Sequence, residues 1–361
     1  MLSVSKTLRL IALSTVCAVF SFSFACSPGG SGPGATGSTI NLQGAGATFP
    51  NPLYQKWLSE YGKLHPNVRI DYQSIGSGGG IKQIKEQTVD FGASDAPMRD
   101  EDLKSAPSEL VHVPTVLGAV VLTYNLQGVR SPLKFSPDVT ADIFLGKIKQ
   151  WSDPRIKAEN PDANLPASEI TVVHRSDGSG TSAVFTDYLS KVSAEWKEKV
   201  GAGTSPKWPV GLGGKGNEGV TGQVKATPNT IGYVELAYAI QNKLPVALLK
   251  NKAGNFVEPT FEAVSAAAAE SLPTTPEDLR VSITDAAGAG VYPISSYTYI
   301  LVYKEQRDAA KGKALVDFLW WGIHDGEQFA KDLNYAPLPP EIVSRAEAKI
   351  NSIVSGGKPL R

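Results

Sequence analysis

"EITVVHRSDGSGTSAVFTDYLSKV", residues 169–192, decides the fold class. "EITVV" reads as a short buried strand and "SAVFTDYLSKV" is apolar at helical spacing, so the glycine-marked segment between them is a loop that feeds a helix. Within it Arg175 and Asp177 stand two apart and are followed at once by Gly178, Ser179, Gly180 and Thr181. A guanidinium presents a planar fork of donors suited to a tetrahedral oxyanion, and Asp177 can brace that fork. Ser179, Gly180 and Thr181 add hydroxyl and N–H donors at a helix start, where a negative charge is favoured. The same residues also fit a plain salt bridge beside a capped helix, a pairing that contributes little at a surface.

Working outward, the pattern recurs. "VRIDYQSI", "VDFGAS", "LGAVVLTYNL" and "ITVVHRS" read as short strands, alternating with helical stretches such as "IKQIKEQ" and "ADIFLGKI". Such alternation predicts α/β architecture with mostly parallel sheets, whose ligands lie beyond the strand ends. No period of 20–50 residues recurs, which argues against a solenoid or propeller. Residues 252–290 read as a peripheral alanine-rich helix and loop. "VYPISSYTYILVYKE" returns to a buried strand, and "AKGKALVDFLWWGI" and "PPEIVSRAEAKINSIV" read as amphipathic helices.

Three further loops could carry chemistry. In "GAGATFPNPLYQKWLSEY" (44–61), Leu53, Trp57 and Tyr61 form one apolar stripe, so Thr48 and Phe49 mark a helix start whose leading N–H groups lack internal partners. Thr48 alone also fits an ordinary N-cap. "VRIDYQSIGSGGGIKQIKEQ" runs strand, turn, helix, with Ser77 at the turn. It fails the dinucleotide pattern because Ile81 stands where the third glycine belongs, and no G-K-[ST] occurs anywhere to make a P-loop. "VDFGASDAP" ends a strand at Asp95. A carboxylate makes sense in an anion site only if the anion carries a proton to donate, and otherwise reads as a turn-former.

Lys plus Arg and Asp plus Glu are both 35, so no excess of positive charge points to nucleic acid or an anionic membrane surface. Lys6, Arg9, the apolar run "LIALSTVCAVFSFSFA" and Cys26 have the order of a secretory leader, giving a signal peptide over 1–25 and an exported mature protein. Residues 26–39, rich in Gly, Ser and Pro, read as a flexible tether. Cys17 and Cys26 are the only cysteines, so the exported body has no internal disulfide and no thiolate metal site. No His/Asp cluster has metal-ligand spacing, and no cofactor motif is present. A phosphate-ester hydrolase would want an activated nucleophile, yet there is no G-x-S-x-G elbow and there are four histidines, His65, His112, His174 and His324. On a strand, His174 points away from Arg175 and is expected to pack or to face water.

"GAGATFPNPLYQKW", "YQSIGSGGGIKQI", "VDFGASDAP", "LGKIKQWSD", "RSDGSGTSAVFTDYLS", "WPVGLGGKGNEGV" and "IGYVELAYA" together resemble the phosphate-binding proteins of bacterial phosphate ABC transporters, the Pst system. The resemblance runs in order from about residue 41 to the C terminus. It implies a two-lobed periplasmic binding protein of type II, each lobe a mixed sheet flanked by helices, with the ligand cleft between. Lobe I would comprise 40–114 and 291–361 and lobe II 115–290, the chain crossing near Pro114 and Pro293. Thr48, Phe49 (through its backbone N–H), Ser77 and Asp95 would hold inorganic phosphate from one lobe. Arg175, Ser179, Gly180 and Thr181 would close from the other, with Asp177 orienting Arg175. The partners implied are phosphate and the membrane permease subunits, with the protein a monomer that performs no catalysis. Cys26 resembles the lipidated residue of bacterial lipoproteins and is the candidate for a lipid anchor; the other reading is a soluble periplasmic protein. Asp95 argues against sulfate and molybdate, whereas arsenate shares phosphate's protonation and stays open.

Overall fold

The computed structural model describes residues 39–129 and 132–361. The leader, Cys26 and residues 26–38 of the tether lie outside the described residues. Eight strands form one hydrogen-bonded array: β1 (Ile40–Gly46), β2 (Val68–Ser74), β3 (Phe91–Ser94), β4 (Leu110–Asn125), β5 (Thr171–Arg175), β6 (Leu212–Gly214), β7 (Thr230–Glu235) and β8 (Ser295–Tyr303), in the order β2-β1-β3-β8-β4-β7-β5-β6.

The array is two mixed sheets that share one strand. β1 pairs parallel with β2 and β3, while β8 runs antiparallel between β3 and β4. On the far side β4 pairs antiparallel with β7, which is parallel to β5, itself parallel to β6. The sequence of β4, "LVHVPTVLGAVVLTYN", is a nearly continuous apolar run, as a strand covered on both faces requires, and it is buried up to Asn125. Its partner changes from β8 to β7 between Ala119 and Val120, where the Val120 N–H donates to Ile294 O. β4 therefore carries the chain from one lobe into the other. Pro114 sits inside it without an N–H to give. Thr298 and Tyr299 of β8 face Val116 and Pro114, so Thr115 is the extra residue of a bulge in β4 beside the proline.

Parallel strands bring their C-terminal ends to one edge. In the first lobe Gly46 lies level with Ser74 and Ala93, and in the second Arg175 lies level with Gly214. Helices start just beyond four of these ends: α1 (Asn51–Leu64), α2 (Ser77–Lys85), α3 (Gly180–Val192) and α4 (Gly216–Ala226). The α1 stripe is buried as its periodicity predicts, through Leu53, Tyr54, Trp57 and Tyr61. Trp57 meets Phe318 and Trp321 edge-on and donates its indole N–H to Gly326 O at 2.8 Å, so the chain's late helical segment pins α1. The expected alanine-rich helix lies at Phe261–Ser271 and buries Ala263, Val264, Ala267 and Ala268.

Candidate functional site

The C-terminal ends of β1, β2 and β3 deliver Thr48, Ser77 and Asp95, and the ends of β5 and β6 deliver Arg175 and the starts of α3 and α4. All the anion-site candidates from the sequence meet here, and Thr48, Phe49, Ser77, Asp95, Arg175, Ser179, Gly180 and Thr181 are all buried. The two sets of loops touch. Gly78 N–H donates to Gly178 O at 2.9 Å across the cleft. A Cβ built on Gly180 would overlap Ser77 Oγ and the Asp95 carboxylate, coming within 2.8 Å of Asp95 Cβ, so only glycine allows this approach. Gly76, at φ +88, precedes α2 in the left-handed region, and a side chain there would strike Asp177 Oδ2 and Gly178 O at 2.5 Å. Beside the site an open cleft of about 990 Å³ is lined by both lobes, among them Gly78, Asp95 and Ser296 from the first and Ala183, Gly203 and Lys207 from the second.

Arg175 is held rigidly. Its Nε donates to Asp177 Oδ1 at 2.8 Å and its Nη2 to Asp177 Oδ2 at 2.5 Å, a bidentate pair with the guanidinium side chain 1% exposed. Nη1 points to Thr181 Oγ1 at 3.3 Å. Burial pushes the Asp177 carboxyl up, but the Arg175 guanidinium and the Gly216 N–H outweigh it and hold the group below the usual carboxylate range. Asp177 therefore stays ionised and braces the cation.

Across the cleft, Asp95 Oδ1 accepts from Thr298 Oγ1 at 2.8 Å, and Ser77 Oγ approaches Oδ2 at 3.4 Å. Burial pushes the Asp95 carboxyl up to about 7, against the lowering effects of Thr298, Arg175 and Ser77. A carboxyl poised there accepts a hydrogen bond from a guest's hydroxyl when ionised and can donate one when neutral.

Thr48 is no helix cap. The residue preceding α1 is Pro50, without a side-chain cap, and Thr48 Oγ1 instead accepts from Asn217. Ser179 does cap α3, its Oγ accepting from Ser182 N–H at 3.0 Å, which leaves its hydroxyl hydrogen to be given elsewhere. The N–H groups of Phe49, Gly180 and Thr181 have no protein acceptor among the described residues. His174 stacks on Trp208 at 5.0 Å between ring centroids, and its Nδ1 lies 2.9 Å from Arg175 O. The other histidines are engaged elsewhere: His65 on Tyr61, His112 with Met98 N–H and His324 with Glu347.

Two residues escape the sequence reading. Thr298 lies on β8, 203 positions from the Asp95 it serves, inside a run that reads as ordinary buried strand. Asn217 lies in "WPVGLGGKGNEGV", which carries part of the family resemblance but to which the resemblance assigns no ligand. The available signal was topological: a loop beyond a parallel strand, beside a second such loop.

Together the loops offer one guanidinium, braced by Asp177, with several hydroxyls and free backbone N–H groups facing the Asp95 carboxylate. That set complements a tetrahedral anion that retains a hydrogen.

The comparisons agree with this architecture. A PBP superfamily domain matches residues 31–320. The Phosphate-binding protein PstS of Pasteurella multocida is 48% identical over 88% of this chain and 93% of its own. That of Xylella fastidiosa is 47% identical over 86% of this chain and 85% of its own. Among solved structures, a phosphate-binding protein from Stenotrophomonas maltophilia superposes with a TM-score of 0.64 at 20% identity, over 86% of this chain and 93% of that one, a likeness in fold. With an α/β core of two lobes joined through β4, and with identity near one half along most of its length, the chain belongs to the PstS family of periplasmic binding proteins of type II.

Proposed function

We propose that this protein captures inorganic phosphate outside the inner membrane and delivers it to the permease subunits of an ABC importer. The family's phosphate-binding members support the reading. The observation that carries it is the buried Asp95 carboxylate, which takes hydrogen bonds from Thr298 and Ser77 of its own lobe and lies against Gly180 of the facing one, an arrangement that only a proton-bearing oxyanion turns from repulsion into a hydrogen bond.

Thr48, the Phe49 N–H, Ser77 and Asp95 hold the anion from one side; Arg175, Ser179, Gly180 and Thr181 hold it from the other, with Asp177 orienting Arg175. Lobe I is taken as 40–114 with 291–361 and lobe II as 115–290, closing over the ligand. The site binds and releases without turnover. The protein works as an exported periplasmic monomer, anchored through Cys26 if that residue is acylated. Arsenate, which keeps a proton as phosphate does, satisfies the same geometry.

Calorimetric titration tests this. Well above pH 7 phosphate is expected to bind at about micromolar affinity or tighter, because several charge-assisted hydrogen bonds of roughly 1.5–3 kcal/mol each offset ordering costs of about 4–15 kcal/mol. Sulfate is then rejected. As the pH falls through about 7 the Asp95 carboxyl takes up a proton and gains a hydrogen to donate, so sulfate should begin to compete. A phosphate-to-sulfate preference unchanged across that range contradicts the assigned role of Asp95; absence of phosphate binding contradicts the function.

A further inference from the structure

We infer that Asn217 is a positioning residue of the binding site, one that fixes the hydroxyls of Thr48 and Thr181 as donors toward the ligand, that of Thr48 only when the lobes are together. The inference rests on the phosphate reading of the site.

Asn217 is wholly buried and every polar atom of it is engaged. Its Nδ2 donates one hydrogen to Thr48 Oγ1 at 2.8 Å and the other to Thr181 Oγ1 at 3.0 Å. Its backbone N–H donates to Thr48 Oγ1 at 3.2 Å, and its Oδ1 accepts from Glu235 N–H at 3.0 Å. That last bond fixes which way the amide faces, since a flipped amide would turn its NH₂ against another N–H.

The consequence follows from counting lone pairs. A hydroxyl has two acceptor sites and one hydrogen. Both acceptor sites of Thr48 Oγ1 are filled by Asn217, and both of Thr181 Oγ1 are filled, by Asn217 Nδ2 and Arg175 Nη1. Neither hydroxyl hydrogen has a protein acceptor among the described residues. Each hydrogen is therefore left free for a guest, and neither hydroxyl can turn a lone pair toward an incoming anion. Free hydroxyls in a dry pocket rotate to suit whatever arrives; these two are set in advance as donors, which removes a reorganisation cost and biases the site toward anions.

The placement also couples this setting to closure. Thr48 follows β1 in the first lobe and Asn217 opens α4 in the second, 169 positions along the chain. Parting the lobes would break both Asn217–Thr48 bonds and release the Thr48 hydroxyl to rotate. Tyr238 OH, also from the second lobe, donates to Thr48 O at 2.6 Å and holds the same residue in register when the cleft is shut.

A double-mutant cycle on the full chain, read by phosphate calorimetry, tests the role. Asn217→Ala in the wild-type background should weaken phosphate binding by about 10- to 100-fold, the worth of one to two misdirected charge-assisted donors. In a Thr48→Val, Thr181→Val background the same change should cost less than about threefold, because no hydroxyl is left to direct. Thr181→Ser, which keeps the hydroxyl, should retain the full Asn217→Ala loss. Equal losses from Asn217→Ala in the two backgrounds would mean a merely structural contribution and would overturn the inference. If thermal melting shows that Asn217→Ala does not fold, the cycle is run with Asn217→Leu, which is close in volume and uncharged but lacks the donors; the same contrast between backgrounds decides. Wild-type protein that binds no phosphate would remove the reading of the whole site, whereas wild-type binding with additive losses removes the role of Asn217 alone.

Discussion

Replacing Asp95 by asparagine is expected to lower the preference for phosphate over sulfate by at least about 100-fold while changing phosphate affinity itself by less than about tenfold. Sites that demand a particular polar partner reject analogues lacking it by on the order of 10⁴ to 10⁵. Here the demand is unusually sharp, because the carboxylate is 1% exposed and solvent screens its lone pairs little from those of sulfate. Asparagine keeps the shape and an acceptor for the phosphate hydroxyl. It also supplies an N–H to an oxygen without a hydrogen, and it relieves the cost of burying a charge that already drives the carboxyl up to about 7. Phosphate therefore loses one charged acceptor and recovers part of the difference, while sulfate changes from repelled to tolerated. Competition calorimetry measures both constants.

Removing the guanidinium should have the largest effect on affinity. Arg175→Ala is expected to weaken phosphate binding by about 30- to 5,000-fold, the range that follows when one partner of a buried charge interaction worth roughly 2–5 kcal/mol is removed. Two effects add. The anion loses its cationic partner, and Asp177, which the guanidinium keeps ionised, becomes an unpaired carboxylate beside it. Arg175→Lys should recover little, since an ammonium cannot make the two parallel bonds to Asp177 and also reach Thr181 Oγ1. Melting curves recorded without ligand separate a loss of binding from a loss of folding, and wild-type affinity in Arg175→Ala would contradict the assignment.

The legible part of this molecule was the local part. Strand, glycine turn and helix follow one another within twenty residues, so hydrophobic period and turn chemistry were enough to predict α/β units with donors at the helix starts around Ser77 and Arg175. The stripe of Leu53, Trp57 and Tyr61 needed no tertiary information either. Thr48 was ambiguous because cap and ligand positions share a residue type, and only the distant Asn217 distinguishes them. Thr298 and Asn217 were hidden for the same reason: each has its role set by a partner more than 150 positions away, Thr298 by Asp95 and Asn217 by Thr48. β4 was half visible. "LGAVVLTYNL" has the pattern of a strand, but its continuation back through a bulge at Thr115 and Pro114 to Leu110 depends on pairing with β8, which arrives almost two hundred residues later.

The central claim is that a buried site selects its anion by requiring a hydrogen bond that Asp95 can accept. The most direct measurement is the ratio of sulfate to phosphate dissociation constants for the wild-type protein and for Asp95→Asn, taken side by side well above pH 7. A ratio that collapses in the variant while phosphate still binds is the predicted result; the same ratio in both proteins would contradict the account.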